Sequence, residues 1–416
     1  MKRILLILSL SLILFLPSCS GGNDSEKKKI VYWSMWNETE SQGQAVKAAI
    51  EDYMAKHPDI EVEINFNGRE IRKTLQPALD NGQTIDFWDE NIERTTKNWG
   101  KYALKLDDYI TNVYDTTGGK PYEDVIIKSL LDLGRSFSSD GSLYAIPYQP
   151  FVFLFNYNKK IFREAGIEKV PETWQEFKDA CAKIKALGIP PITDDDAEIN
   201  ALLGYHMAKY KGTEFVQKVV TEGLWDDPTV LKAAKDWQEM VELGYISPKV
   251  AGNKFPAGRH ELARGEAAMF LNGTWVPNFV METAGEDFEW GHFPYPTVEG
   301  GTDGLYDMHY GSQSFQINKD TKYPKEIFDL IVHLTTGKWD EEIAKRSYAL
   351  PVSSTSTYWT KQLEDTKEIF PKLGKYYPLD GGIDVNTEKT PIINANVIKL
   401  MSGQITAEEF IAEMKK

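Results

Sequence analysis

Two cysteines in 416 residues cannot staple a disulfide scaffold, so this fold must be held by a buried apolar core. Basic residues are scarce, with 47 lysines and arginines against 62 acidic side chains and a formal charge of −15. Such a field repels phosphate backbones and anionic headgroups, which excludes nucleic acid as a partner. The six histidines show no metal-ligand spacing, and the chain has no G-x-S-x-G, H-E-x-x-H, G-x-x-x-x-G-K-[ST] or paired C-x-x-C motif. Neither a metal nor a cofactor is expected, although folding can still bring two carboxylates together. What is present is 42% hydrophobic against 26% charged residues in regular patterning, which is a globular composition, and a length that suits two or three compact units.

At the start of the chain, Lys2 and Arg3 precede an apolar or small stretch, Ile4 to Leu16, too short to span a bilayer and read as a signal peptide over residues 1–18. Leu16-Pro17-Ser18-Cys19 resembles the lipobox of bacterial lipoproteins, which implies cleavage before Cys19 and its lipidation. An ordinary secretory cleavage site with a coincidental cysteine is the alternative. Ser20 to Lys29 is small, polar and charged, so residues 19–29 are expected to form a lipidated cysteine and a flexible tether. With Cys19 modified, Cys181 has no intramolecular partner. No second membrane segment is found.

Ile30 to Trp33 reads as a strand and Ser41 to His57, with Val46, Ile50 and Tyr53 in helical spacing, as a helix. A strand over Asp59 to Phe66, a helix over Ile71 to Leu79 stopped by Asn81-Gly82, and a strand near Ile85 to Trp88 follow. This alternation predicts an α/β fold with a parallel sheet covered by helices. A helix is expected over Val125 to Leu133. The extended run Leu143 to Tyr157 carries Pro147 and Pro150, which weaken a ladder, so it reads as two strands meeting at a crossover between units. Thr173 to Glu176 has capping-box form, and Trp174, Phe177, Cys181 and Ile184 share one face of the helix it starts, which makes Cys181 a core residue. Helices are also expected over Glu198 to Tyr210, Glu326 to Leu334 and Ala407 to Met414.

Gly141-Ser142-Leu143-Tyr144-Ala145-Ile146-Pro147, then Asn156 to Lys159, Phe162, Ala165-Gly166-Ile167 and Pro171 to Phe177, resemble the signature of family 1 extracellular solute-binding proteins. Gly265 to Phe270 and Asn272-Gly273-Thr274-Trp275 are similar to a second block of that family, and Leu350-Pro351-Val352 with Met401 to Gln404 to the hinge and terminal helix of its carbohydrate-binding members, maltodextrin-binding proteins included. The resemblance implies a two-domain periplasmic-binding-protein-like (Venus-flytrap) α/β fold with a ligand cleft between domains and multiple crossover segments. One domain would hold residues 30–149 plus 312–350, the other 152–310 plus 352–416. It further implies a monomeric, extracytoplasmic, lipid-anchored protein that captures a mono- or oligosaccharide by domain closure and delivers it to ABC-transporter permease subunits, with no catalysis. A secreted glycosidase and a surface glycan-binding adhesin are the alternatives.

A sugar site needs flat aromatics for the C–H faces of the ring and carboxylates or amides for its hydroxyl rim. Trp36, Asn37 and Glu38 follow the first strand, and Trp88, Asp89 and Glu90 the third. Trp275 occupies the position where the family's tryptophan commonly stacks on sugar. Gln149 and Phe151 lie at the first crossover, Tyr310 and Gln313 at the second, where Gly311 suits a hinge or a bulge equally. Tyr358 and Trp359 resemble a C-terminal family aromatic, with Trp359 taken as the contact. In Asp194-Asp195-Asp196, Asp194 is a candidate solute contact. A calcium site there is less favoured than a helix start.

Overall fold

The computed structural model describes residues 27–416. The signal-peptide and Cys19 lipidation sites lie outside the described residues. Among the described residues there are eight strands: β1 (Lys28–Ser34), β2 (Ile60–Phe66), β3 (Phe87–Asn91), β4 (Ile146–Asn158), β5 (Ile192–Thr193), β6 (Met269–Gly273), β7 (Trp290–Phe293) and β8 (Tyr310–Ile317). Their order is β2-β1-β3-β8-β4-β6-β5, with β7 also paired to β4. The expected parallel sheet is therefore corrected to a mixed one. β1 pairs in parallel with β2 and β3, as the opening strand-helix alternation requires, and β5 with β6. Every pairing of β4 and β8 is antiparallel. Such long-range pairing leaves no periodicity in the sequence to be read.

The expected run forms one strand, not two; it starts at Ile146, later than expected, runs to Asn158, and all positions of that strand are buried. Its first part pairs with β8, from Ile146↔Phe315 to Val152↔Tyr310, and its second part with β6 and β7. The two prolines are accommodated because the register slips between Tyr148 and Pro150, leaving Gln149 in the left-handed region at φ 46°. The result is two lobes sharing β4. Against the β1–β2–β3 side packs the helix Ser41–Lys56, itself covered by the helices Pro324–Thr335 and Gly337–Ser347. In the other lobe the helices Asn200–Lys211 and Pro228–Glu242 pack together and receive the C-terminal pair Thr390–Met401 and Ala407–Met414.

Local rules account for several helix starts. Thr173 and Glu176 form a reciprocal capping box on the helix Trp174–Ala186, whose face Trp174, Phe177, Ala180, Cys181 and Ile184 is buried. Burial pushes the Cys181 thiol well up, which keeps it protonated and inert. The helix expected from Val125 starts at Lys128, because Tyr122–Val125 coils separately before it. The third strand runs to Asn91, three residues past the expected end, with consequences for the site.

A buried carboxylate ties the first lobe to the crossover. Asp89, fully buried, accepts from the Tyr32 hydroxyl (2.8 Å), the Met35 N–H (2.9 Å) and the Tyr148 hydroxyl. Tyr148 in turn accepts from the Trp36 indole N–H at 2.8 Å. Desolvation pushes Asp89 from 3.8 up to about 6, against the pull of its three donors. A folded-state value above the unfolded one means that the folded protein holds this proton more tightly, so the associated stability is complete below about pH 4 and lost as pH rises through 6. Asp89→Asn removes that titration. Its cost in denaturant melts should be larger at pH 4 than at pH 7, by up to about 3 kcal/mol; an identical cost at both pH values would refute the assignment.

Candidate functional site

Where the lobes meet at the β4 bulge, a narrow cleft with a cavity volume of about 80 Å³ opens. The loop after β1 and the helix that follows it supply Trp36 and Gln42, the crossing strands supply Gln149, Pro150, Phe151 and Gln313, and the turn after β6 supplies Thr274, Trp275 and Asn278. Ser347, Tyr348, Ala349, Leu350 and Leu363 complete the wall. The wall contains no ionisable carboxylate, ammonium, guanidinium or imidazole.

Two glycines set the aromatics. The Trp275 ring lies against Gly273, where any β-carbon would collide with it, and the Phe151 ring lies against Gly311, where a β-carbon would sit 2.9 Å from Cζ. Gly311 thus serves close approach, while the bulge falls on the opposite strand at Gln149. Phe151 meets Trp275 edge-on, centroids 5.3 Å apart and planes at 73°, so the two rings brace each other. Trp36, on the other wall, is fixed by its bond to Tyr148 and by the Arg69 guanidinium 4.6 Å from its ring. Gln149 donates from Nε2 to the Ser347 hydroxyl at 3.1 Å, joining the bulge to the end of the helix Gly337–Ser347. That helix stops with Tyr348 left-handed at φ 51°, which turns its half-exposed ring toward the cleft wall. Gln313 Oε1, in the cleft wall, is buried without a hydrogen-bond partner, an unusual state that a donating hydroxyl would relieve.

Five residues singled out from sequence are brought together here: Trp36, Gln149, Phe151, Trp275 and Gln313. The others are placed elsewhere. Trp88, Asp89 and Glu90 lie inside the ladder opposite Gln316, Phe315 and Ser314, since β3 continues past them. Trp88 is fully buried and donates to Gln316 Oε1 at 2.9 Å. Asp89 is occupied by its three donors, and buried Glu90 by Arg72 at 2.8 Å and the Asn91 N–H at 3.0 Å. Asn37 and Glu38 are exposed beyond Trp36. Asn37 donates to Glu40 while its amide oxygen blocks the space over Gly68, and Glu38 pairs with Lys47 at 2.6 Å. Tyr310 stands edge-on to Tyr376 at 5.7 Å. Trp359 supports the wall from behind, donating to the carbonyl of Leu363 at 2.9 Å.

Asp194 is buried at the end of β5 and accepts from the Asp195 N–H at 2.8 Å; burial and its acidic neighbours push its carboxyl well up. Among the described residues no group of three His, Cys, Asp or Glu side chains is arranged to hold a metal ion. The helix after this acidic run starts at Asn200, later than expected. Sequence reasoning missed Gln42, Thr274, Asn278, Ser347 and Tyr348. The first three follow strand ends and carried a positional signal. Tyr348 carried none, because nothing in the residues announces a left-handed tyrosine.

No helix among the described residues is long and apolar enough to cross a membrane. The multiple sugar-binding protein of Streptococcus mutans is 24% identical over 338 residues, 78% of this chain and 76% of its own. A Brucella abortus protein named only as a binding protein is 28% identical over 255 residues, 60% of this chain; the chain spans 58% of that relative's length. A solved binding protein in complex with raffinose superposes with a TM-score of 0.67 at 17% identity, covering 94% of this chain and 98% of its own, and shares the two-domain fold. The family model for bacterial extracellular solute-binding proteins matches residues 36–340. With most of its length inside that match and its two lobes joined by crossing strands, the chain belongs to the bacterial extracellular solute-binding protein family.

Proposed function

We propose that this protein is the lipid-anchored, extracytoplasmic binding component of an ABC-type importer and captures a neutral carbohydrate by closing two lobes over it. The observation that carries the reading is the chemistry of the cleft wall: indole and phenyl faces with amides and hydroxyls, and no charged side chain. A pyranose presents apolar C–H faces and a rim of donors that are also acceptors, so it matches ring surfaces such as Trp36 and Trp275 and amides such as Gln42, Asn278 and Gln313. A phosphorylated or carboxylated solute would need a cation in the wall. The sugar binding in the name of the Streptococcus mutans relative and the raffinose of the solved neighbour support the same class.

Residues 30–149 with 312–350 form one jaw and 152–310 with 352–416 the other. Trp36 lies on the first and Trp275 on the second, so a bound ring contacts both only when they approach. Shifting a mostly open population to a mostly closed one takes roughly 5 kcal/mol of preference for the closed state, within reach of several hydrogen bonds and one stacked ring. Cys19 would carry the lipid that holds the protein beside its permease, and a monomer suffices. The wall offers no carboxylate pair for glycosidic cleavage, which disfavours a hydrolase.

A thermal-shift screen over neutral mono- and oligosaccharides should raise the melting temperature for at least one, in proportion to the logarithm of its concentration, and sugar phosphates should give no shift. Product accumulating with turnover during such incubation would replace the binding reading by an enzymatic one. Trp275→Ala should abolish the shift and lower the unliganded melting temperature by only a few degrees, since this indole is partly exposed; a collapse of the unliganded protein would mark a core residue instead. Gln313→Ala should weaken the same ligand about tenfold in calorimetric titration, the worth of one buried hydrogen bond, and undiminished affinity would remove Gln313 from the site.

A further inference from the structure

β5 and β6 run parallel, with Ile192 beside Met269 and Thr193 beside Phe270, so the chain leaves both strands at the same end of the lobe. β6 leads into Thr274, Trp275 and Asn278 of the cleft wall, and β5 into Asp194, Asp195 and Asp196. At that end two phenylalanines stand in solvent, Phe255 at 47% and Phe279 at 48% exposure. Phe279 is the residue after Asn278. The ring centroids are 5.4 Å apart and the planes inclined at 60°.

This pair is held in place. Arg259, 3% exposed, sets its guanidinium carbon 4.5 Å from the Phe255 centroid and 5.1 Å from that of Phe279, and is itself fixed by an ion pair to Glu198 at 2.6 Å. Phe255 also donates its N–H to Asp196 at 2.8 Å, and Asp196 pairs with Lys254 at 3.0 Å. Isolated exposed apolar residues are ordinary. Two rings clasped by a buried cation that is anchored in turn form a rigid surface, which binds at little ordering cost. Its size selects the occupant. Two half-exposed phenyl rings offer about 200 Å² of apolar area, a fraction of the roughly 800 Å² that each partner contributes to a stable protein interface, but enough to stack a sugar ring. The cleft, with a cavity volume of about 80 Å³, falls well below the roughly 300 Å³ at which ordinary ligand sites begin, so a chain-like ligand would extend out of it.

We infer that Phe255 and Phe279 form an outer subsite at the mouth of the cleft that stacks on a sugar unit beyond those enclosed, making the preferred ligand an oligosaccharide. The inference rests on the carbohydrate reading of the cleft.

The test is calorimetric titration of the full chain with malto-, xylo- and chito-oligosaccharides of increasing length, in the wild type and in a Phe255→Ala/Phe279→Ala double variant. Wild-type affinity should rise with length within the series that binds. The double variant should match the wild type on the shortest ligand bound and lose about tenfold on the longest. Phe279→Tyr, which keeps a ring, should retain the long-chain affinity, and a single Phe255→Gln variant serves if the double variant does not fold. Equal affinities of variant and wild type at every length would assign the pair to a protein contact and overturn the inference while leaving the carbohydrate reading intact. An equal loss at every length would overturn it as well, by making the rings part of the inner site or of its support. Absence of binding by the wild type to any of the three series, or to the neutral sugars of the thermal screen, would remove the carbohydrate reading and the outer subsite with it.

Discussion

The antiparallel pairing of β4 with β8 is the constraint on which the rest of the molecule depends. It places two long strands side by side across the junction of the lobes, and β4 then exchanges one set of neighbours for another within a single strand. A slip of one residue at Gln149 makes that exchange possible, because it re-aims the side chains on either side. Gln149 and Phe151 on one strand and Gln313 on the other therefore reach the cleft from a backbone otherwise buried along its length. The aromatics of the wall can lie close to these strands only because Gly273 and Gly311 leave room for them.

Charged groups that would suit a ligand are spent on the scaffold. Asp89 binds the exit of β1 to Tyr148, and Glu90 answers Arg72. Lys209 is buried in the second lobe, its ammonium donating to the carbonyls of Gly304 (2.6 Å) and Asp307 (2.8 Å), where burial lowers it to about 8. It clasps the loop that feeds β8. Each of these groups is surrounded by partners, as burial of charge demands. The scaffold consumes the ions and leaves amides, hydroxyls and rings to line the cleft.

Much of this was legible in the sequence where the signal is local. The capping box at Thr173, the face carrying Cys181 and the closing helix Ala407–Met414 follow from spacing and stop where spacing says. Trp36 was singled out because it follows a strand, and Trp275 because its Asn272-Gly273-Thr274-Trp275 block resembles the family's; both line the cleft. Trp88 was misplaced for the opposite reason: its strand continues three residues further on the strength of pairing with β8, a partner more than two hundred residues away. Asp89 and Glu90 looked like ligand acceptors because a carboxylate carries no mark in sequence of the donors that will claim it. The mixed character of the sheet, the bulge at Gln149 and the turned-out ring of Tyr348 are likewise products of long-range packing.

An uncharged wall has a consequence for the surroundings in which capture can occur. Dissolved salt screens an attraction between charges, whereas ring faces and neutral amides present no net field for mobile ions to collapse around. Whatever the salt of the medium, a wall of this composition presents the same surface, which suits a member of a family that works outside the cytoplasm.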